Sequence, residues 1–307
     1  MSGPILVTRG LTKKYGSNLA VEDVGLRLEK GQIYGLVGRN GAGKTTIIRM
    51  LTAQTVPTSG EIELFGETTP KGLSAARARL GAMVEIPSFY PYLTAAENLE
   101  YYRRQRGIPG AGCVAEALER VGLQEAGKKK FKQFSLGMKQ RLGLALALMN
   151  QPDLLLLDEP INGLDPEGIV EFRSLLLELN RQRETTILIS SHILSELSNV
   201  ATHYGFLDKG HMLEQISAQK LREKCRACLQ LTVGDASAAA LALEQRLETR
   251  EYEVLPGNVL RLYDFLDRPQ AVAAALAEAG VAILGLESKN ANLEDYFLSL
   301  IGGVHHA

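Results

Sequence analysis

The sequence predicts an α/β protein: a largely parallel β-sheet covered by helices, followed by a smaller unit with a different order of strands and helices. Three observations predict this fold class. Short apolar runs alternate with amphipathic helical segments, as parallel strands and their crossover helices do. The chain has 307 residues, which corresponds to about two domains. Its hydrophobic fraction of 45% and charged fraction of 22% are those of an ordinary globular protein.

The elements of the first part follow from short bounded runs and from helical periodicity. Strands are predicted at residues 5–9, 20–28, 32–37 and 61–65, and again at 154–157 and 186–190. Helices are predicted at residues 45–52, 95–106, 114–121, 136–149 and 168–180. The strand that ends before Gly38, the glycine-rich turn and the helix after it form one unit. The strand–helix–strand alternation after residue 150 favours a parallel sheet.

Residues 229–302 show a different order of predicted strands and helices. Predicted strands lie at 229–233, 252–255, 259–263 and 281–286, and predicted helices at 236–248 and 270–280. The resulting order β-α-β-β-α-β is the ferredoxin-like split motif, with residues 256–258 as the hairpin turn. A last helical piece is predicted over 292–300. We place the domain boundary at residue 222, so that residues 223–307 form a C-terminal α+β accessory domain.

Charge and hydropathy exclude several classes of protein. The chain has 34 Lys and Arg against 35 Asp and Glu, a formal net charge of −1, unlike a typical polyanion binder. Basic runs at 128–132 and 103–106 lack the repeated aromatic interleaving that nucleic-acid-binding modules show, so we expect solvated faces or lipid headgroup contacts and no nucleic acid partner. No apolar run approaches the ~20 residues of a membrane span, and no signal peptide is visible, so we expect a cytoplasmic protein.

The cysteines do not predict a disulfide framework. The chain has three, Cys113, Cys225 and Cys228, and the last two form a C-x-x-C. A redox pair or half of a zinc site is one interpretation. No second C-x-x-C or paired histidine motif completes a metal site, so we favour two small apolar residues near the end of a helical stretch.

A phosphate-binding loop is the strongest motif in the sequence. Residues 38–45 read GRNGAGKT and fit G-x-x-x-x-G-K-[ST] between a predicted strand and helix. The glycines let backbone N–H groups approach phosphate oxygens, and the helix N-terminus adds positive potential. Lys44 can reach the outer phosphates of a nucleotide, and the Thr45 hydroxyl can ligate Mg²⁺. The motif therefore predicts a P-loop NTPase.

A second acidic motif follows an apolar strand. Residues 154–160 read LLLLDEP, so a buried strand delivers Asp158 to the metal, and Glu159 beside it can polarise a water molecule. An ordinary junction between a strand and a loop would look similar when taken alone. After the phosphate-binding loop, the motif favours nucleotide hydrolysis.

Further segments resemble the nucleotide-binding subunit of ABC transporters over residues 4–220. They are Tyr15, the segment 80–99 (LGAMVEIPSFYPYLTAAENL), residues 134–141 (FSLGMKQR), residues 162–165 (NGLD) and residues 190–192 (SSH). The resemblance implies an ABC ATPase core with an antiparallel β subdomain and a helical subdomain at about 88–150. It also implies that two such subunits sandwich two ATP molecules, each between one phosphate-binding loop and the partner's signature loop.

The resemblance assigns roles residue by residue. Tyr15 would stack on adenine, Ser135 and Gly137 belong to the signature loop, Asp165 to the D-loop, and His192 to the switch histidine. The implied nucleotide-binding set is Tyr15, Gly38, Asn40, Gly41, Ala42, Gly43, Lys44, Thr45, Thr46, Ser135, Gly137 and Asp165. The implied catalytic residues are Glu159 and His192, and the implied metal ligands are Thr45, Glu85 and Asp158. Alone, Tyr15 reads as a surface aromatic, His192 as a structural histidine and Ser135 as a helix N-cap.

Two positions depart from the family pattern. Glu85 stands where most members have glutamine, and Leu136 replaces a glycine of the signature loop. Glu85 adds a third carboxylate near Asp158 and Glu159 that can coordinate Mg²⁺. Residues 85–91, 135–141 and 293–298 together resemble the subfamily that exports bacitracin and lantibiotic peptides.

The resemblance implies an ATPase that energises a separate membrane permease from the inner face of the membrane, for antimicrobial peptide resistance or multidrug export. It also implies a second nucleotide-binding subunit, with which the chain forms a homodimer. Two alternatives stay open at this point. One is a soluble ABC-type ATPase working on DNA or ribosomes, although the chain lacks a coiled-coil insert and a second cassette. The other is a regulatory module that senses ATP without hydrolysis, against which Glu159 and His192 argue.

Overall fold

The computed structural model describes residues 3–85, 88–110, 112–289 and 293–303. Residues 86 and 87 of the segment 80–99, and residue 292 of the last predicted helix, lie outside these described residues. The chain divides into two compact units after Ala218, four residues before the position chosen from the sequence. A strand ends at Ser217 and a helix begins at Ala218, so no linker marks the junction in the sequence.

The first unit alternates strands and helices along the chain. The strands are β1 (Leu6–Tyr15), β2 (Asn18–Leu28), β3 (Ile33–Gly38), β4 (Ser59–Leu64), β5 (Leu80–Met83), β6 (Leu154–Asp158), β7 (Thr186–Ser191), β8 (His203–Asp208) and β9 (His211–Ser217). The helices are α1 (Lys44–Leu51), α2 (Pro70–Arg77), α3 (Ala95–Gln105), α4 (Gly112–Arg120), α5 (Leu136–Leu148), α6 (Pro166–Arg183) and α7 (Leu194–Leu197). Short 3-10 turns lie at Gln124–Ala126 and Phe131–Gln133.

The central sheet has the strand order β5-β6-β7-β3-β8-β9. Strands β5, β6, β7, β3 and β8 run parallel, as the sequence predicts, whereas β9 pairs antiparallel with β8 at the edge. Every residue of β3, β6 and β7 is buried, which is why these strands read as continuous apolar runs. The carboxyl ends of the parallel strands share one edge of the sheet, where α/β proteins bind ligands.

A second, antiparallel sheet has the order β2-β1-β4. One apolar cluster joins this sheet, helix α1 and the central sheet, with Leu6, Leu26, Ile47 and Leu156 among its buried members. Helix α1 is therefore held by apolar contacts shared with both sheets. This packing fixes the helix whose first turn follows the glycine-rich loop.

Between residues 88 and 150, where the sequence predicts a helical subdomain, the described chain forms the helices α3, α4 and α5. Helix α3 begins with a capping box in which the Glu97 N–H donates to Thr94 Oγ1 at 3.2 Å and the Thr94 N–H donates to Glu97 Oε2 at 2.7 Å. These hydrogen bonds to Thr94 lower the pKa of Glu97. Helix α5 is buried on all sides from Leu142 to Leu148, so its sequence is apolar without a strong stripe.

The second unit has the predicted split β-α-β-β-α-β order. After helix α8 (Ala218–Lys224) its elements are β10 (Cys228–Val233), α9 (Ala236–Arg246), β11 (Tyr252–Leu255), β12 (Val259–Leu262), α10 (Pro269–Glu278), β13 (Ile283–Lys289) and α11 (Leu293–Gly303). The antiparallel sheet has the order β11-β12-β10-β13, and both α9 and α10 contribute to its apolar core. In the β11–β12 turn, Gly257 and Asn258 have φ values of 82° and 57°, a conformation that these residue types tolerate.

The thiols of Cys225 and Cys228 are buried, burial raises the pKa of each, and no cluster of potential metal-ligating side chains is found in the described part of the chain. Among the same residues, no helix has the length and apolar character needed to cross a membrane.

The core of the second unit gives a first prediction. Leu262 of β12 is fully buried, whereas Leu284 of β13 is 71% exposed. Leu262→Ala is expected to destabilise this unit by roughly 2–5 kcal/mol, because it leaves a cavity in the core. Hydrogen–deuterium exchange of β10 in the full chain should accelerate about 30-fold or more. Leu284→Ala, the matched control, should leave the exchange unchanged, and equal effects of the two variants would contradict this packing.

Candidate functional site

The glycine-rich loop between β3 and α1 fits closely against its neighbours. A Cβ atom at Gly38 would lie 2.6 Å from the Leu207 carbonyl oxygen, and one at Gly43 would lie 2.7 Å from the Ala20 carbonyl oxygen. Gly43 also has a φ of 108°, which a residue with a side chain rarely adopts. The loop conformation therefore requires glycine at both positions, and it is fixed against β2 and β8.

The buried side chain of Lys44 binds carbonyl oxygens of the loop that precedes it. Its Nζ donates to the carbonyl oxygens of Gly38 at 2.6 Å and Arg39 at 3.2 Å, and lies 3.0 Å from Glu159 Oε1. Only 5% of the side chain is exposed. Gly43 gives helix α1 no side-chain cap, so the N–H groups of the first turn are available to an anion. A buried ammonium and unpaired N–H groups thus converge on one loop.

Asp158 ends β6 and is held by two hydroxyl groups. Thr45 Oγ1 donates to Asp158 Oδ2 at 2.7 Å, and Ser190 Oγ donates to Asp158 Oδ1 at 2.7 Å. The register of the parallel strands β6 and β7 pairs Asp158 with Ser190, so the second contact follows directly from the sheet. Asp158 is buried, and both carboxylate oxygens have a fixed partner.

Glu159 joins the lysine to the histidine at the end of the next strand. Its carboxylate lies 3.0 Å from Lys44 Nζ through Oε1 and 2.6 Å from His192 Nδ1 through Oε2. The Glu159 backbone has a φ of 47°, which is unfavourable for a residue with a Cβ atom. The Ser190 hydroxyl supports this turn by accepting a hydrogen bond from the Glu159 N–H at 3.0 Å.

A cavity of about 640 Å³ opens over the loop, a size typical of small-molecule sites. Tyr15, at the end of β1, lines it and is 42% exposed, with Lys13 Nζ 4.9 Å from its ring centroid. The cavity also contains most of the predicted loop residues and Glu159. The lining residues are Tyr15, Asn18, Leu19, Ala20, Asn40, Gly41, Ala42, Gly43, Lys44, Thr45, Thr46, Glu159, Asn162 and Lys209.

Sequence reasoning missed part of this lining, most clearly Lys209. The turn after β8 is tied to the phosphate-binding loop, because the Gly210 N–H donates to the Ala42 carbonyl oxygen at 3.0 Å. It is also tied to β2 through the Glu22 N–H, which donates to the Gly210 carbonyl oxygen at 2.9 Å. The Lys209-Gly210 pair signals a turn, but only the sheet topology brings that turn to residues 20 and 42.

Ser135, Gly137 and Asp165 line a different cavity, of about 610 Å³. Ser135 caps α5 by accepting a hydrogen bond from the Met138 N–H at 3.3 Å, and Asp165 caps α6 by accepting one from the Gly168 N–H at 3.0 Å. The sequence left the capping role of Ser135 open, and the structure shows it. Apart from Gly38, which lines neither cavity, the predicted nucleotide-binding residues thus line two separate cavities of one chain.

Leu136 and Glu85, the two residues that depart from the family pattern, each contact a neighbouring segment. Leu136 packs on the 162–165 segment, since a Cβ atom at Gly163 would lie 2.8 Å from Leu136 Cδ2. Glu85 forms an ion pair with Arg49 of α1, and its side chain is 63% exposed. No described hydrogen bond or ion pair joins Glu85 to Asp158 or Glu159, and Glu85 lines neither of the two cavities.

Comparison with known proteins finds relatives over both units of the chain. Residues 21–162 match the family described as "ABC transporter". The chain is 44% identical to the bacitracin transport ATP-binding protein BcrA of Bacillus licheniformis, over 97% of this chain and 98% of that protein. It is 41% identical to the lantibiotic transport ATP-binding protein SrtF of Streptococcus pyogenes, over 68% of this chain and 89% of that protein.

A similar fold occurs in a solved bacterial ABC transporter cassette, MJ0796, which was determined as a dimer. The TM-score is 0.63 with 25% sequence identity, over 69% of this chain and 98% of that chain. The shared fold covers about the length of the first unit.

The double contact of Ser190 gives the second prediction. Its hydroxyl is fully buried and bridges Asp158 and the Glu159 N–H. Ser190→Ala should leave both groups without this partner, at a cost of roughly 1–3 kcal/mol in the free energy of unfolding. It should also lower the kcat of nucleotide hydrolysis in a steady-state assay. Ser174→Ala, which removes an exposed hydroxyl of α6, is the control. Equal kcat values for the two variants would contradict the role of the Ser190 hydroxyl in holding Asp158 and Glu159.

Proposed function

The chain belongs to the ABC transporter family as an ATP-binding, ATP-hydrolysing subunit, and we propose that it drives the export of a bacitracin- or lantibiotic-type peptide through a separate permease. The observation that carries this proposal is the 44% identity to a bacitracin transport ATP-binding protein over 97% of the chain. This match covers nearly the whole chain and so includes the second unit, whereas the match to SrtF covers 68% of the chain. The relatives reported above do not favour a DNA-bound, ribosome-bound or purely sensory ATPase.

ATP binding in the 640 Å³ cavity follows from its lining. The exposed ring of Tyr15 provides a stacking surface for adenine at one side of the cavity. The loop N–H groups and the N-terminus of α1 would hold the phosphates. Lys44 would then exchange its contact with Glu159 for the outer phosphates, which carry more negative charge, and so free the Glu159 carboxylate.

The residues around Asp158 suit Mg²⁺. This ion prefers hard oxygen ligands and usually binds through one or two protein groups together with substrate phosphates. The Thr45 hydroxyl and the Asp158 carboxylate converge to 2.7 Å beside the phosphate-binding loop, so they would hold the ion. The ion would neutralise charge on the phosphates during hydrolysis.

Hydrolysis would use Glu159 and His192. Glu159 accepts a proton from the attacking water while the water oxygen bonds to the γ-phosphorus, and the bond from that phosphorus to the β,γ-bridging oxygen breaks to give ADP and phosphate. His192 orients the Glu159 carboxylate through the 2.6 Å contact of its Nδ1. Both side chains leave adjacent parallel strands, which fixes their separation.

Two copies of the chain would complete the site. Ser135, Gly137 and Asp165 line the second cavity, so they would act on the nucleotide bound in the first cavity of a partner copy. The dimeric cassette MJ0796 has a related fold, which supports this arrangement. The working unit is then a homodimer, peripheral on the inner face of the membrane, with a permease as its membrane partner.

The experiment that tests the transport function uses the subunit co-purified with its membrane partner from native membranes and reconstituted into liposomes. Bacitracin and a lantibiotic are added separately, and ATP hydrolysis is followed. We expect one of the two peptides to stimulate hydrolysis several-fold. Failure of the chain to co-purify with any membrane protein, or the absence of stimulation by both peptides, would contradict the proposed function.

The third prediction concerns the proposed base. Glu159→Gln keeps the size of the side chain but cannot accept the proton of the attacking water. The variant should bind ATP and hydrolyse it at least ~100-fold more slowly, so that ATP traps a dimer in size-exclusion chromatography. Glu178→Gln, on an exposed face of α6, is the matched control. Hydrolysis at the wild-type rate by Glu159→Gln would refute the assignment.

The fourth prediction concerns Glu85, which we still propose as a ligand of the metal in the loaded site. Reaching the metal requires Glu85 to leave Arg49. Glu85→Gln should then shift the Mg²⁺ dependence of ATPase activity to higher concentration. Arg49→Ala removes the same ion pair while it keeps the carboxylate, and it should not cause this shift. An identical Mg²⁺ dependence of the wild type and Glu85→Gln would remove Glu85 from the metal site.

A further inference from the structure

His192 is the first residue after β7, and the turn that carries it is built around one hydroxyl group. Ser191 Oγ accepts a hydrogen bond from the Ile193 N–H at 2.9 Å and donates to Glu196 Oε2 at 3.0 Å. The Ile193 carbonyl oxygen lies farther away, 3.2 Å from the same hydroxyl. Ser191 is buried, so the hydroxyl has its partners within the protein. The turn is therefore tied to the Glu196 carboxylate of α7.

Glu196 brings a second carboxylate to the neighbourhood of His192. The side chain is half-buried, and burial raises its pKa, while the hydrogen bond from Ser191 and the nearby His192 and Arg173 favour its ionised form. The like charge of Glu159 instead raises the pKa of Glu196. A carboxylate placed near another carboxylate and partly out of water destabilises the fold unless it has cationic or hydrogen-bonding partners.

Arg173, on the helix α6 that Asp165 caps, is a source of positive charge for Glu196. Its Nε is a buried donor with no hydrogen-bond partner among the described residues. The charge of this residue of α6 thus favours the ionised form of Glu196.

We propose that Glu196 is a positioning residue for ATP hydrolysis: together with Ser191, it holds the 191–193 turn so that His192 keeps Nδ1 on the Glu159 carboxylate. The hydroxyl of Ser191 fixes the backbone around His192 through the Ile193 N–H, and the Glu196 carboxylate holds that hydroxyl in place through its hydrogen bond. Glu159 contacts Lys44 as well as His192, so a loose histidine turn leaves the proposed base with the lysine alone. This inference rests on the proposed roles of Glu159 and His192.

The fifth prediction is a set of steady-state ATPase measurements on the full chain. Glu196→Ala should lower kcat by about tenfold or more, the loss expected when an orienting contact worth roughly 1.4 kcal/mol disappears. The KM for ATP should change less than about twofold, because nucleotide binding depends on the phosphate-binding loop. Glu196→Gln preserves an oxygen acceptor for Ser191 and is nearly isosteric, so it should recover part of kcat. Glu119→Ala, an exposed glutamate of α4, is the control.

A double-mutant cycle separates positioning from general stability. His192→Ala alone should lower kcat, and in that background Glu196→Ala should cause little further loss, because the residue it positions is gone. Losses that add fully in the double variant would overturn the inference, as would wild-type kcat in both Glu196 variants. A wild-type kcat of His192→Ala would instead refute the proposed role of His192, which makes the two failures distinguishable.

The orientation of His192 provides a readout that does not depend on turnover. In long-range ¹H–¹⁵N correlation spectra, the Nδ1 shift of His192 reports its contact with Glu159. We expect this shift to move in Glu196→Ala, to move less in Glu196→Gln and to stay in place in Glu119→Ala. An unchanged Nδ1 shift in Glu196→Ala would overturn the inference.

Discussion

The register of two parallel strands is the constraint on which the rest of the site depends. Pairing of β6 with β7 sets Asp158 opposite Ser190, and the residues that follow, Glu159 and His192, leave the same edge of the sheet. A shift of one residue would turn these side chains to the other face of their strands. The hydrogen bond from Ser190 to Asp158 and the contact of Glu159 with His192 both depend on this register.

The phosphate-binding loop depends on a second, weaker constraint, the close approach of its backbone to neighbouring strands. Gly38 and Gly43 leave no room for side chains against β8 and β2, and the apolar cluster under α1 holds the helix that follows. Lys44 is therefore buried at the point where the loop and the two strand ends meet. Burial strengthens its interaction with carbonyl and carboxylate oxygens, because the local dielectric is low.

The distribution of the site residues over two cavities has a functional meaning for an ATPase subunit. In one chain, the glycine-rich loop and Glu159, the proposed base, line one cavity, and the helix N-termini at Ser135 and Asp165 line another. We therefore interpret each chain as providing only part of a nucleotide site. A second copy would complete the site, so that hydrolysis depends on the association of the two copies.

The sequence alone determined the elements whose signals are local: the glycine-rich loop, the strand that ends in Asp158 and the β-α-β-β-α-β order of the second unit. Each is encoded by residues that are neighbours in the chain. Tertiary structure alone decided other contacts, both between distant segments, such as Lys209 near the loop and Glu85 on Arg49, and within one turn, such as Glu196 on Ser191. The first two depend on strand order and helix packing, and the third on how a short helix folds back after β7. No periodicity reports such contacts, because they join side chains whose separation along the chain carries no repeat.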